Sequence, residues 1–179
     1  MPMEVRVRDV KRWAGRRIAV PLDGEWPPAL QELAEWPLVS PPSGQVVVDN
    51  GGDFLAVALS GEAAVEAECG RCLRPVRLSV PFALRQEYRE VEPGFEDEWL
   101  AYRQDVIGLD DLVTEAVLLA LPVRPLCRPD CRGLCPTCGE DLNDGPCGCA
   151  PPQDQRWSAL AGWRAIEAKK PEEKPEEDS

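Results

Sequence analysis

The stretch CRPDCRGLCPTCGEDLNDGPCGC, residues 127–149, carries six of the chain's eight cysteines, and the other two, Cys69 and Cys72, form a separate Cys-x-x-Cys. There is no histidine. Tetrahedral zinc takes four soft or borderline ligands, and a Cys-x-x-Cys turn delivers two of them on one tight loop. Eight cysteines grouped this way predict all-thiolate metal sites holding one or two structural Zn²⁺ ions. Cys135-Pro-Thr-Cys138, followed by Gly139, fits the knuckle closely, because glycine allows backbone N–H groups to approach the sulfurs. Cys147-Gly-Cys149 offers a second pair, and Asp144-Gly145-Pro146 supplies the turn that brings it back. The favoured grouping makes Cys135, Cys138, Cys147 and Cys149 a short zinc ribbon. Cys69, Cys72, Cys127 and Cys131 then form a second site that clamps a sheet to the cluster. A competing grouping puts Cys127, Cys131, Cys135 and Cys138 on one ion and Cys69, Cys72, Cys147 and Cys149 on the other. In a third, only the ribbon binds metal and Cys69 and Cys72 remain free thiols. Spacing does not choose among them.

Other cysteine chemistries fit less well. Disulfide scaffolds belong to short secreted chains, whereas clustered cysteines in a reducing compartment favour metal. A redox Cys-x-x-Cys normally opens a helix in a βαβ unit, but the segments around Cys69 and Cys72 both read as strands. The spacings do not match ferredoxin-type iron–sulfur runs. Catalytic zinc keeps a position open for water, and four thiolates leave none. No other constellation in the chain reads as catalytic, so a non-enzymatic role is expected.

At 179 residues, the chain can bury roughly two thirds of its unfolded surface. The expected layout is a core over residues 1–122, a cysteine-rich segment with a short C-terminal helix over 123–166, and a charged disordered tail over 167–179. The tail holds too few apolar residues to fold. Neither a signal-peptide-like apolar run nor a membrane-length one is present, so the expected location is cytoplasmic. The formal charge is −12, made more negative by thiolate ligation. That excludes a strong independent nucleic-acid binder, whose affinity comes mostly from phosphate neutralisation. RNA would be met locally or through a partner, and the acidic surface suits a basic protein. Charge is uneven: residues 1–20 hold six basic and two acidic groups, and residues 85–115 hold three basic and ten acidic ones.

Apolar alternation predicts strands over residues 3–9, 16–22, 45–49, 54–68 and 77–88. Asn50-Gly51-Gly52-Asp53 reads as a hairpin turn. Gly61 marks a bulge or a bend in the long strand, and Pro81 an edge or bulge in the next. Together these give an α+β fold with an antiparallel, barrel-like sheet. One short helix is expected among Leu30, Leu33, Ala34 and Trp36. Residues 90–104 read as a solvated loop anchored by Trp99, Leu100 and Tyr102. The main helix starts at Asp110 and Asp111, whose carboxylates complement the helix dipole. It shows an apolar face of Leu112, Val113, Ala116, Val117, Leu119, Ala120 and Leu121, and Pro122 stops it. Glu115 is expected at the edge of that face, bonded to an arginine or a backbone amide. Trp157, Leu160, Ala161 and Trp163 suggest the C-terminal helix, docked on the core.

Three places carry a family likeness. They are Cys69-Gly-Arg-Cys72-Leu73 between strands, the helix with Glu115 running into Leu121-Pro-Val-Arg-Pro-Leu-Cys127, and Cys131-Arg-Gly-Leu-Cys-Pro-Thr-Cys-Gly-Glu-Asp-Leu-Asn143 with its closing Cys147-Gly-Cys149. On these residues and the following Asp154-Gln-Arg-Trp157, the chain resembles the YceD family, named for large ribosomal RNA subunit accumulation. Gln155 stands where the family commonly has proline. The likeness covers roughly residues 50–165. It implies a non-enzymatic factor of ribosome biogenesis that supports accumulation or processing of the large-subunit (23S) ribosomal RNA. Its partners would be that RNA or a basic large-subunit ribosomal protein. Arg71, Arg74, Arg77, Arg124, Arg128 and Arg132 flank the two cysteine groups and form a candidate RNA patch. The alternative is a thiol-based redox or general metal-binding protein with no ribosomal role.

Overall fold

Period-two burial builds the central sheet. In the computed structural model, which describes residues 3–91, 100–150 and 156, strands β2 (Arg17–Leu22), β3 (Ser43–Asn50), β4 (Leu55–Glu68) and β5 (Pro75–Glu90) form an antiparallel meander. β1 (Glu4–Arg6) lies outside this sheet. β6 (Ala101–Tyr102) adds to the end of β5 in parallel, giving the order β2-β3-β4-β5-β6. Val46 and Val48 of β3, Leu55, Val57, Leu59, Ala63 and Val65 of β4, and Val80, Phe82 and Tyr88 of β5 are all buried. Their outward neighbours such as Ser60, Glu62, Pro81 and Ala83 are exposed.

The sheet is open, so the expected barrel is not formed. The described outer edge of β2 carries Pro21, which has no N–H to offer a further strand. The buried face is covered from elsewhere. Helix α2 (Asp110–Ala120) packs against β5, and its Leu112, Val113, Ala116 and Val117 join the same core. Met3, Val5, Val7 and Val10 of the N-terminal segment enter that core too. With a helix and the N-terminal segment covering the buried face, the sheet need not curl onto itself.

Gly61 is neither bulged nor bent. It pairs with Gly44 and Phe82 in a register that runs unbroken from Leu55 to Glu68. Its role is steric: a Cβ there would lie 2.5 Å from the Ser43 carbonyl oxygen and 2.6 Å from Cζ of Phe82. The aromatic ring takes the space the glycine leaves. Pro81 lies where β5 has β4 as its only named strand neighbour, the edge position that proline tolerates. In the β3–β4 turn, positive φ falls on Gly52. Asn50 instead makes an Asx turn, its Oδ1 accepting from Gly52 N–H at 2.7 Å. Its Nδ2 donates to the Val10 carbonyl at 3.0 Å, tying the N-terminal segment to the hairpin.

Before the start of β3, residues 37–39 lie along β4, with Val39 N–H donating to Ala64 O (2.9 Å) and Glu66 N–H to Pro37 O (2.9 Å). The predicted short helix is one turn, α1 (Pro28–Gln31), burying Leu30. Trp26, just before it, stacks edge-on against Phe82 and donates from Nε1 to the Ser40 carbonyl.

Part of the expected solvated loop is ordered structure. β6 buries Tyr102. Just past the expected loop, β7 (Val106–Gly108) pairs antiparallel with β1 in a separate two-stranded sheet. α2 begins with Asp110, whose Oδ1 accepts from Met3 N–H at 2.9 Å. Its apolar face is narrower than expected, because Leu119 is 71% exposed. Leu119 follows Glu115 by one turn on the same outward flank. Among the described residues Glu115 accepts from the Gln86 side-chain amide at 3.4 Å and from no arginine or backbone group.

Trp99, the expected C-terminal helix and the tail lie outside the described residues. By internal contacts the chain divides into two units, Met1–Cys131 and Arg132–Ser179. Among the described residues no helix is long and apolar enough to cross a membrane.

Candidate metal centres

The first centre is built where the β4–β5 connection meets the chain leaving α2. Cys69 and Cys72 sit in the turn between these strands, and Cys127 and Cys131 follow the helix. All four Sγ atoms lie within 4.8 Å of one another. Cys69 Sγ is 3.8 Å from Cys131 Sγ, and Cys72 Sγ is 3.7 Å from Cys127 Sγ. Sulfurs bound at about 2.3 Å to a tetrahedral ion stand about 3.8 Å apart, whereas a disulfide brings them to about 2.05 Å. The described thiols are all free, and their spacing fits a shared ion.

Local bonds explain how the chain reaches that geometry. Leu73 N–H donates to the Cys69 carbonyl and Cys69 N–H to the Arg74 carbonyl, both at 2.9 Å, closing the knuckle. Leu73 takes φ 60°, the left-handed conformation normally given to glycine. Gly70 N–H donates to Pro125 O at 2.8 Å, and Arg124 returns Nη2 to Gly70 O at 2.6 Å. Arg71 Nη1 donates to the Cys131 carbonyl at 2.7 Å. Arg71 and Arg124 thus bind the two halves of the site through backbone oxygens.

The second centre lies in the unit that follows. Cys135, Cys138, Cys147 and Cys149 again place all four Sγ atoms within 4.8 Å of one another. Gly139, at φ 76°, donates its N–H to the Cys135 carbonyl at 2.9 Å, the same knuckle bond that Leu73 makes. Thr137 N–H points at Cys135 Sγ from 3.4 Å. A short hairpin frames the knuckle, with Cys135 N–H donating to Glu140 O and Leu142 N–H to Gly133 O. Asn143 Oδ1 accepts from Arg132 N–H at 2.8 Å and holds the start of that hairpin to its end. Of the groupings the spacing left open, the geometry brings together the two sets {69, 72, 127, 131} and {135, 138, 147, 149}.

The electrostatics fit a cation. Backbone N–H donation from Cys72 holds the Cys69 thiol down at about 6, and that from Cys138 does the same for Cys135. Burial pushes Cys127 up to about 12, and a hydrogen bond with Cys138 is the main cause of a similar rise at Cys149. Cys72 and Cys147 are also raised. Each centre therefore stabilises one thiolate and resists further ones, because like charges at such spacing repel. A divalent ion removes that resistance, since coordinated thiols are deprotonated outright.

The remaining candidate arginines are placed differently. Arg128 Nε lies 3.4 Å from Asp130 Oδ1. Arg74 and Arg77 are exposed at the start of β5, Arg77 opposite Glu66 on β4. Arg132 belongs to the second unit. Sequence reasoning missed the carbonyl-binding roles of Arg71 and Arg124, and the left-handed Leu73. For Leu73 the signal was available: it stands in the first knuckle where Gly139 stands in the second.

Comparison with known proteins places both centres within one family region. The model of the YceD family, described as "Large ribosomal RNA subunit accumulation protein YceD", matches residues 57–163, which include all eight cysteines. The chain belongs to the YceD family. Similar proteins include uncharacterized proteins of Mycobacterium bovis and Mycobacterium tuberculosis, each 39% identical over 118 residues, 63% of this chain and 57% of theirs. An uncharacterized protein of Mycobacterium leprae is 33% identical over 100 residues, 53% of this chain and 46% of that one. The chain thus spans about half the length of these relatives. No solved structure matches.

Proposed function

We propose that this YceD-family chain is a non-enzymatic ribosome-biogenesis factor that supports accumulation of the large-subunit ribosomal RNA. Two structural zinc ions, one in each four-cysteine centre, hold its fold. The observation that carries the reading is the family match over residues 57–163, which takes in both centres. Four thiolates per centre leave no open coordination position for a substrate or water, which supports a structural and not a catalytic role. The softness of an all-sulfur donor set and its tetrahedral spacing favour zinc over harder cations. The partners are the 23S RNA, with Arg74, Arg77 and Arg128 among its contacts, or a basic large-subunit ribosomal protein drawn by the −12 charge.

Depletion of the protein, followed by quantification of the two large ribosomal RNAs, tests the reading. Loss of 23S relative to 16S RNA, with the protein co-sedimenting with large-subunit precursors, is the expected result. Unchanged rRNA ratios and a protein found only in free fractions, with thiols that cycle between oxidation states, would favour the redox alternative.

A further inference from the structure

The N-terminal segment takes no part in either metal centre and precedes the family match, which begins at residue 57. Residues 6–17, RVRDVKRWAGRR, carry six basic groups and one acidic group in a chain of net charge −12. At their centre Trp13 is 68% exposed. Burying an indole is strongly favourable, so leaving it in water on a well-tied turn calls for an explanation.

The turn is tied from several sides. Arg16 N–H donates to Trp13 O at 3.1 Å, Gly15 N–H donates to Asn50 O at 2.8 Å, and Asn50 N–H donates to Arg16 O at 2.9 Å. Asn50, itself buried, also binds the Val10 carbonyl, and Val10 is fully buried. Trp13 therefore stands on a braced platform. Three of its basic neighbours are engaged: Arg8 and Lys11 with Asp105, and Arg17 with Asp49. Arg6, Arg12 and Arg16 are exposed and form no ion pair among the described residues.

We infer that Trp13, flanked by Arg12 and Arg16, is a stacking site for single-stranded RNA, one base lying on the indole while the guanidiniums meet neighbouring phosphates. An aromatic face beside exposed cations is the arrangement that sequence-tolerant single-strand binders use. A basic protein segment would be repelled by the same cations. An apolar helix would find only Trp13, since Arg12, Ala14, Gly15 and Arg16 surround it in sequence. The naming of RNA as the polymer rests on the proposed ribosomal role. The acidic remainder of the chain keeps binding modest and sensitive to salt.

The test uses the full-length, zinc-loaded protein and a labelled single-stranded RNA of about a dozen mixed-sequence nucleotides, the site-size range of such platforms, read by fluorescence anisotropy. Trp13→Ala is expected to weaken binding about tenfold, and Trp13→Phe to retain most of it. Arg12→Ala with Arg16→Ala is expected to weaken binding and to flatten the salt dependence by about 1.4 in log–log slope, two phosphates' worth. Circular dichroism melts check that the variants fold, since these side chains are exposed. Wild-type affinity in Trp13→Ala would overturn the site. So would a wild-type protein that co-sediments with large-subunit precursors but binds no RNA, a result that leaves the ribosomal reading standing. RNA binding that depends on Trp13, without co-sedimentation, would instead keep the site and sink the ribosomal reading.

Discussion

Leu73 holds the same place in the first knuckle that Gly139 holds in the second, and both take positive φ. A side chain in the left-handed region costs on the order of 1–2 kcal/mol. Leu73 is 59% exposed, so little packing offsets that cost. Leu73→Gly is expected to stabilise the zinc-loaded protein by about 1 kcal/mol in denaturant titrations, after glycine's greater unfolded entropy is allowed for. A destabilised variant would mean that the leucine packs against something. Asn50 carries the opposite expectation. Asn50→Ala leaves the Val10 carbonyl without its partner and should cost about 2–3 kcal/mol. The thiols add a pH dependence. Cys69 and Cys135, near 6, are mostly ionised at pH 7, while the raised Cys72, Cys127, Cys147 and Cys149 must lose protons to bind metal. Zinc binding should therefore release about two or more protons per ion at pH 7. Affinity should rise with pH and fall steeply toward pH 5, measurable by calorimetry in buffers of different ionisation heat. At this scale the sequence shows which atoms can bind metal. It does not show Arg71 or Arg124 at their carbonyls, because those bonds exist only once the β4–β5 turn meets the chain after α2.

At the scale of elements, alternation is what made the long strands readable, since one buried face imposes a strict period of two. Gly61 misled, because a strand glycine signals either a bulge or a close approach and only a partner decides which. Here the partners are the Ser43 carbonyl and the Phe82 ring. Gly61→Val should therefore overpack β4 and cost about 2–3 kcal/mol, read as a lower denaturation midpoint. A neutral result would mean the ring can swing away. β6 and β7 are too short to display a period, and β7 finds its partner in β1, about a hundred residues away. α2 was readable as a helix, but its outward flank was not, because Leu119 looks apolar whichever way it points.

For the whole molecule, magnitudes say what the proposed zinc ions would contribute. A structural zinc site contributes on the order of 10–16 kcal/mol, comparable with the entire stability of an ordinary domain, about 5–15 kcal/mol. The second unit's described part is short, polar and framed by one hairpin, so a strong chelator should unfold residues 132–150, exposing their thiols to alkylation. The β2–β5 sheet has a hydrophobic core of its own that includes no cysteine among the described residues, and hydrogen exchange should show it retaining more protection than the knuckles. The most direct test is metal analysis of the full-length chain, purified under reducing conditions, combined with X-ray absorption at the zinc edge. The account predicts two zinc ions per chain, each with four sulfur neighbours at about 2.3 Å. A chain that folds without bound metal, or an ion with oxygen in place of sulfur, would contradict it.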